Sequence, residues 1–134
     1  MNHKYLSKYL FTSLILLSST AMAKETITSC ETKMTTATEI SRCLDGIKEK
    51  KDRELQTWVN NQTFILEELA ADTGRHASLN MFKRSQRNFI SYRENNCRWQ
   101  YLVVGPDPSA ASAFKSCYIT LTQYRIEELA NLNN

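Results

Sequence analysis

Apolar residues return along this chain at steps of three and four rather than two, the spacing of one face of a helix. Three stretches carry that pattern. In the first, Ile40, Cys43, Leu44, Ile47, Leu55, Trp58, Val59, Phe64, Leu66 and Leu69 mostly keep the helical period. Thr36-Ala37-Thr38-Glu39 ahead of them has the form of a capping box, and Gly74 can end the helix in a left-handed cap. Between Ile47 and Leu55 the stripe thins to the stem of Lys51, which is where a bend is expected, near Lys50 to Asp52. The second stretch can be capped by Ser78 and runs to about Val104, with Phe82, Gln86, Phe89, Arg93, Cys97 and Tyr101 on one face. Gly105-Pro106-Asp107-Pro108 breaks it, because each proline disfavours helix in the residue before it. The third begins at Ser109 or Ser112 and reaches Asn131, with Cys117, Leu121, Tyr124 and Glu128 predicted on its packed face. The fold class expected is all-α, an antiparallel three-helix domain.

The first 23 residues stand apart from this pattern. Lys4 and Lys8 precede the apolar run Leu10 to Leu17, and Ala21-Met22-Ala23 offers the small residues a signal peptidase accepts. Residues 1–23 therefore read as a cleaved signal peptide and 24–134 as the domain, placing the protein in the periplasm or the medium. The run is too short for a stable membrane anchor and is broken by Thr12, Ser13, Ser18 and Ser19. Ile27-Thr28-Ser29-Cys30 resembles a lipid-acylation signal, but Lys24 and Glu25 lie where such signals exclude charge. Loss of Lys4 and Lys8 takes the formal net charge from +3 to +1. That balance leaves no footprint for nucleic acid, and the charged runs Lys48 to Arg53 and Lys83 to Arg87 read as solvated helix faces.

Export changes the reading of the four cysteines, Cys30, Cys43, Cys97 and Cys117, to two disulfides. Their spacing contains no C-x-x-C, and His76 is the single histidine after residue 23, so no metal site is expected. If Gly105 to Ser109 is the turn between the second and third helices, Cys97 and Cys117 come level across it. Cys43 and Cys97 would be offset by about 15 Å along straight helices, beyond the reach of a disulfide. This favours Cys97 with Cys117 and Cys30 with Cys43, although a bent first helix would leave Cys43 with Cys97 open.

No serine or cysteine is tied by motif to a base, the acids lie on charged faces, and no phosphate loop or cofactor motif occurs, so neither enzyme activity nor a cofactor is expected. What does call for explanation is Arg93. A guanidinium on an apolar stripe needs receivers for its five donors, and in a network of Arg93, Gln86, Thr122 and Arg125, Asp52 or Glu128 is expected to receive a guanidinium bidentately.

The spacing Gln86-x-x-Phe89-x-x-Tyr92-Arg93-Glu94-x-x-Cys97, followed by Cys117-x-x-x-x-Thr122-x-x-Arg125-x-x-x-Leu129, resembles the LprI-type lysozyme-inhibitor family. Phe89 stands where that family usually has tryptophan and Glu94 where aspartate is usual. Cys30, Cys43 and Asp52-x-x-Leu55 fit the same pattern, with Gln56 in place of asparagine. The resemblance implies a small exported helical protein that binds a protein partner, with lysozyme as the partner that named the family. The polar positions Asp52, Gln86, Tyr92, Arg93, Thr122 and Arg125 then read as a fold-specifying network, or alternatively as the recognition surface itself. Gly105, Pro106, Asp107, Pro108 and Ser109, stiffened by two prolines, form the other expected contact. Two further functions stay open: an envelope or immunity protein with a different target, and a structural periplasmic protein with no enzyme target.

Overall fold

The computed structural model describes residues 26–132, so the leader expected at residues 1–23 lies outside them. Four helices follow one another: α1 (Ile27–Lys33), α2 (Ala37–Thr73), α3 (His76–Val104) and α4 (Ala110–Asn131). The three long helices are those expected from periodicity. The added element is α1, which makes the N-terminal arm helical for two turns. Its start is a capping box in which Thr26 and Ser29 satisfy each other's backbone N–H groups. Thr36 and Glu39 do the same for α2, and the two Thr36 groups, hydroxyl first, hold the Glu39 carboxyl below its ordinary value.

α2 runs unbroken through Lys51, a length of ~55 Å at the helical rise. Gly74 ends it with φ of 70°, a conformation that costs glycine nothing, and its N–H caps the Ala70 carbonyl at 2.9 Å. α3 starts at once, with Arg75 at the cap position and no side-chain cap. Ser78 is not the cap: it sits inside the first turn, its hydroxyl 3.4 Å from the Arg75 carbonyl. The tight Gly74 turn leaves no room for a separate capping residue.

α4 is antiparallel to α3 and lies against both α2 and α3. Its buried residues are Ala110, Tyr118, Ile119, Thr122, Arg125, Ile126 and Leu129. This corrects the expected face. Tyr124 is 63% exposed, Glu128 is exposed, and Cys117 and Leu121 are only half-buried. The true stripe is displaced by one residue, about 100° around the helix. Two of its members are Thr122 and Arg125, so a search for apolar periodicity settles on the neighbouring stripe.

The core is divided. Cys30, Leu44, Ile47 and Ile119 form one apolar cluster and Leu55, Ile126 and Leu129 another, with Trp58, Val59, Phe82 and Phe89 packed on the second. Arg125 of α4 reaches Gln86 and Ser85 of α3, so α4 ends near Phe82. Beyond it α2 and α3 continue as a pair, closed by Ala70 and Leu79 and bridged by Lys83 to Glu67. Phe64, assigned to the packed stripe, is 58% exposed because it lies nine residues from Leu55, about 180° around α2 from the buried stripe. No described helix is long and apolar enough to cross a membrane.

Two disulfides join these parts, Cys30–Cys43 and Cys97–Cys117, with Cα separations of 5.7 and 5.5 Å. The first pins α1 to α2 and the second ties α3 to α4. Clusters this small cannot supply a wide margin of stability, so the cross-links matter. Replacing Cys97 and Cys117 together by Ala should lower the unfolding free energy by roughly 2–5 kcal/mol in urea titrations. A change below about 0.5 kcal/mol would show that helix packing alone holds the α3–α4 pair.

Candidate functional site

Between the two apolar clusters lies a layer of charge. Arg93 projects from the α3 stripe and its side chain is only 7% exposed. One terminal nitrogen donates to the Thr122 hydroxyl at 2.8 Å and faces Asp52 Oδ1 at 3.4 Å. The guanidinium carbon lies 3.7 Å from the Tyr118 ring centroid and 5.3 Å from that of Phe89. Tyr118 in turn donates to Asp52 Oδ1 at 3.1 Å, and Lys48 donates to Asp52 Oδ2 at 2.8 Å while standing 4.2 Å over the same tyrosine ring. The bidentate grip expected of Asp52 does not occur. Asp52 receives one long contact from Arg93 because Tyr118 and Lys48 already occupy its oxygens, and stacking on Tyr118 takes up the guanidinium face instead. The Arg93 Nε remains without a hydrogen bond.

Arg125 forms a second node on the same face of α4. Its Nε donates to Gln86 at 3.2 Å, and its two terminal nitrogens donate to Glu128 at 2.7 Å and Ser85 at 3.3 Å. Glu128 therefore receives the guanidinium of Arg125, its neighbour one turn away, at one oxygen rather than bidentately. Of the six network residues, Asp52, Gln86, Arg93, Thr122 and Arg125 come together across three helices. Tyr92 does not: it is 55% exposed, because it lies about 100° around α3 from Arg93. The residues the spacing argument missed are Tyr118, Lys48 and Ser85. Tyr118 was detectable one turn before Thr122, had the stripe been placed one residue later.

The layer perturbs its own ionisations. Burial raises the Tyr118 phenol above its ordinary value; the Arg93 charge opposes this and the Asp52 charge reinforces it. Burial pulls Lys48 down, but its hydrogen bond to Asp52 and the neighbouring Tyr118 and Asp52 charges outweigh that and leave it raised.

The α3–α4 turn is built differently. The Gly105–Pro106 peptide is cis, and Pro106 to Ser109 are exposed. Asp107 organises the turn: its N–H donates to Val104, its carbonyl accepts from Ala110, and its Oδ1 accepts from the Ser109 N–H at 2.8 Å. Hydrogen bonding from Ser109, side chain first and backbone second, holds the Asp107 carboxyl below its ordinary value. Beside the turn, Lys115 bonds the Ser41 hydroxyl at 2.7 Å and carbonyl at 3.1 Å and pairs with Asp45 at 2.7 Å. That contact ties the start of α4 to the start of α2. Leu102 and Val103, in the last turn of α3, are 65% and 73% exposed.

Such a molecule is an all-helical domain stapled by two disulfides, with two buried arginines between its helices. The chain belongs to the LprI lysozyme-inhibitor family, whose model matches residues 29–129. That family is described as one of inhibitors rather than enzymes. No curated protein and no solved structure matches the chain.

Two outcomes check the charge layer. Arg93→Ala leaves the buried Thr122 hydroxyl without its donor and opens space beside Tyr118, and should cost roughly 2–5 kcal/mol of stability in chemical denaturation. Arg93→Lys should recover little of it, since an ammonium cannot stack on Tyr118 while reaching Thr122. Wild-type stability in Arg93→Ala would contradict the role assigned to the layer.

The second outcome is a pH dependence. Tyr118 and Lys48 both have folded values raised above their ordinary 10.0 and 10.5, so the folded state holds their protons longer than the unfolded chain. Their contribution is complete below those values and lost as pH rises through the folded ones. Urea midpoints should fall from about pH 10 upward. The fall should be shallower in Tyr118→Phe, and an equally steep fall in that variant would remove Tyr118 from the account.

Proposed function

We propose that the protein is exported after removal of residues 1–23 and acts as a binding protein that blocks a lysozyme, with Gly105 to Ser109 as the segment that enters the enzyme's cleft. Family membership supports the class of target. The observation that carries the placement is the construction of the turn: it is exposed at the end of the molecule, yet its stems are joined by Cys97–Cys117 and its interior is tied by Asp107. A segment already ordered before binding loses little entropy on association. The charge layer, by contrast, is enclosed by α2, α3 and α4, which favours a scaffolding role for Arg93 over a contact role. No catalytic group or cofactor is needed for inhibition of this kind.

Asp107 has two functions in this reading, and one substitution separates them. Asp107→Asn keeps an oxygen able to accept from Ser109 while removing the charge, so the turn should persist. Inhibition should weaken by about tenfold at low ionic strength, and the difference from wild type should shrink as salt is added. Asp107→Ala also loses the turn bond and should lower the melting temperature slightly. The assay is residual muramidase activity across several lysozyme classes with the oxidised protein. Full inhibition by a variant in which residues 105–109 are replaced by Gly and Ser would exclude the turn. Absence of inhibition by the wild type across the panel would shift the reading to a different envelope or immunity partner.

A further inference from the structure

The outward face of α3 is not used by the packing or by the turn. Asn88, Tyr92, Asn95, Trp99 and Val103 recur there at steps of three and four, and all five are exposed. Tyr92 and Trp99 are each 55% exposed, and Val103 is 73% exposed. The strip carries no charge. Its composition is two aromatic rings with amides beside and between them, on a helix whose flanks hold the charged residues Arg84, Arg87 and Arg98.

Tyr92 and Trp99 are seven residues apart, so they lie within about 20° of each other around the helix and ~10.5 Å apart along it. The Trp99 Nε1 donates to Asn96 Oδ1 at 3.3 Å, which ties the polar edge of the indole down onto its own helix and leaves apolar ring surface toward solvent. The two aromatic side chains thus stand on one helical rod, their backbone positions ~10.5 Å apart along it. Asn88 and Asn95 place side-chain amides, each a donor and an acceptor, beside the rings.

From these observations we infer that this face binds a linear, uncharged β-1,4-linked polysaccharide, with sugar rings stacked on Tyr92 and Trp99. The chemistry of the ligand follows from that of the strip. A pyranose has an apolar face of axial C–H groups and an edge of hydroxyls, which match an aromatic platform bordered by amides. In a β-1,4 chain the sugars are straight and present like faces once per disaccharide, a repeat close to two turns of α-helix. An α-1,4 chain curls away from a straight row of platforms. A partner protein's apolar helix would meet amides where it needs continuous hydrophobic contact, a cationic partner would meet the flanking Arg84, Arg87 and Arg98, and the strip itself holds no charge to pair with an anionic one. This inference goes beyond inhibition by the α3–α4 turn and does not depend on it.

The test is calorimetric titration of the oxidised protein, in the absence of any lysozyme, with chitohexaose, cellohexaose and maltohexaose. At least one of the two β-1,4 hexamers should bind, and at least tenfold more tightly than maltohexaose. Binding of both would identify the shared backbone as the ligand, and binding of chitohexaose alone would identify an amino-sugar chain. Tyr92→Ala and Trp99→Ala should each weaken binding at least tenfold while keeping the melting temperature, and Trp99→Phe should restore part of the loss. No binding of either β-1,4 hexamer at millimolar concentration would overturn the inference, as would equal binding of maltohexaose or retained binding in both alanine variants. A Trp99→Ala protein that fails to inhibit lysozyme, when the wild type binds no hexamer, would assign the face to a protein contact instead. Sugar binding that survives replacement of residues 105–109 would separate this site from the turn, so either proposal can fail without the other.

Discussion

The burial of Arg93 is the constraint on which the rest of the structure depends. A guanidinium inside a domain this small has to be met from more than one helix, and here Asp52 comes from α2, Phe89 from α3, and Tyr118 and Thr122 from α4. A slip of one helical step in any of the three would separate the charge from a receiver and leave a desolvated polar group behind. The two apolar clusters on either side supply nondirectional adhesion; the layer between them fixes how the helices line up. Arg125 repeats the device further along α4, with Gln86 and Ser85 of α3 and its own neighbour Glu128.

Alignment by these nodes gives the molecule two unlike ends. At one, Cys97–Cys117 and the Lys115 contacts with Ser41 and Asp45 tie the helices around an exposed, internally bonded turn. At the other, α2 and α3 run past the end of α4 as a pair with Phe64 and Met81 exposed. Conformational change is resisted at the first end by covalent and polar ties, while the second relies on Ala70, Leu79 and the ion pair of Lys83 with Glu67. The rigid end is therefore the better place for a contact that has to hold its shape.

Much of this was legible in the sequence where a single cause dominates. The long helices follow from period, from the Thr36-Glu39 box and from Gly74 and Pro106; the cysteine pairing follows from distances to the Gly105 turn. Reading failed where polar residues sit in the core. Thr122 and Arg125 removed the apolar signal from the true stripe of α4, and Tyr124 and Leu121 on the adjacent stripe took their place. Tyr92 entered the network with the other positions of the family spacing, although neighbours in a helix point about 100° apart and Arg93 takes the buried one. Phe64 was counted with the stripe for its apolar character, although nine residues from Leu55 put it about 180° around α2. The short α1 was hidden because seven residues carry too little pattern.

The claim that Arg93 and Tyr118 act as one unit is tested most directly by a double-mutant cycle in urea, using Arg93→Met, Tyr118→Leu and the pair, with the disulfides intact. Residues in stacked contact at 3.7 Å should give a coupling free energy of roughly 0.5–3 kcal/mol in favour of the wild-type pair. Strictly additive losses, with coupling indistinguishable from zero, would mean that the helices are aligned by the apolar clusters alone and would contradict this account of the fold.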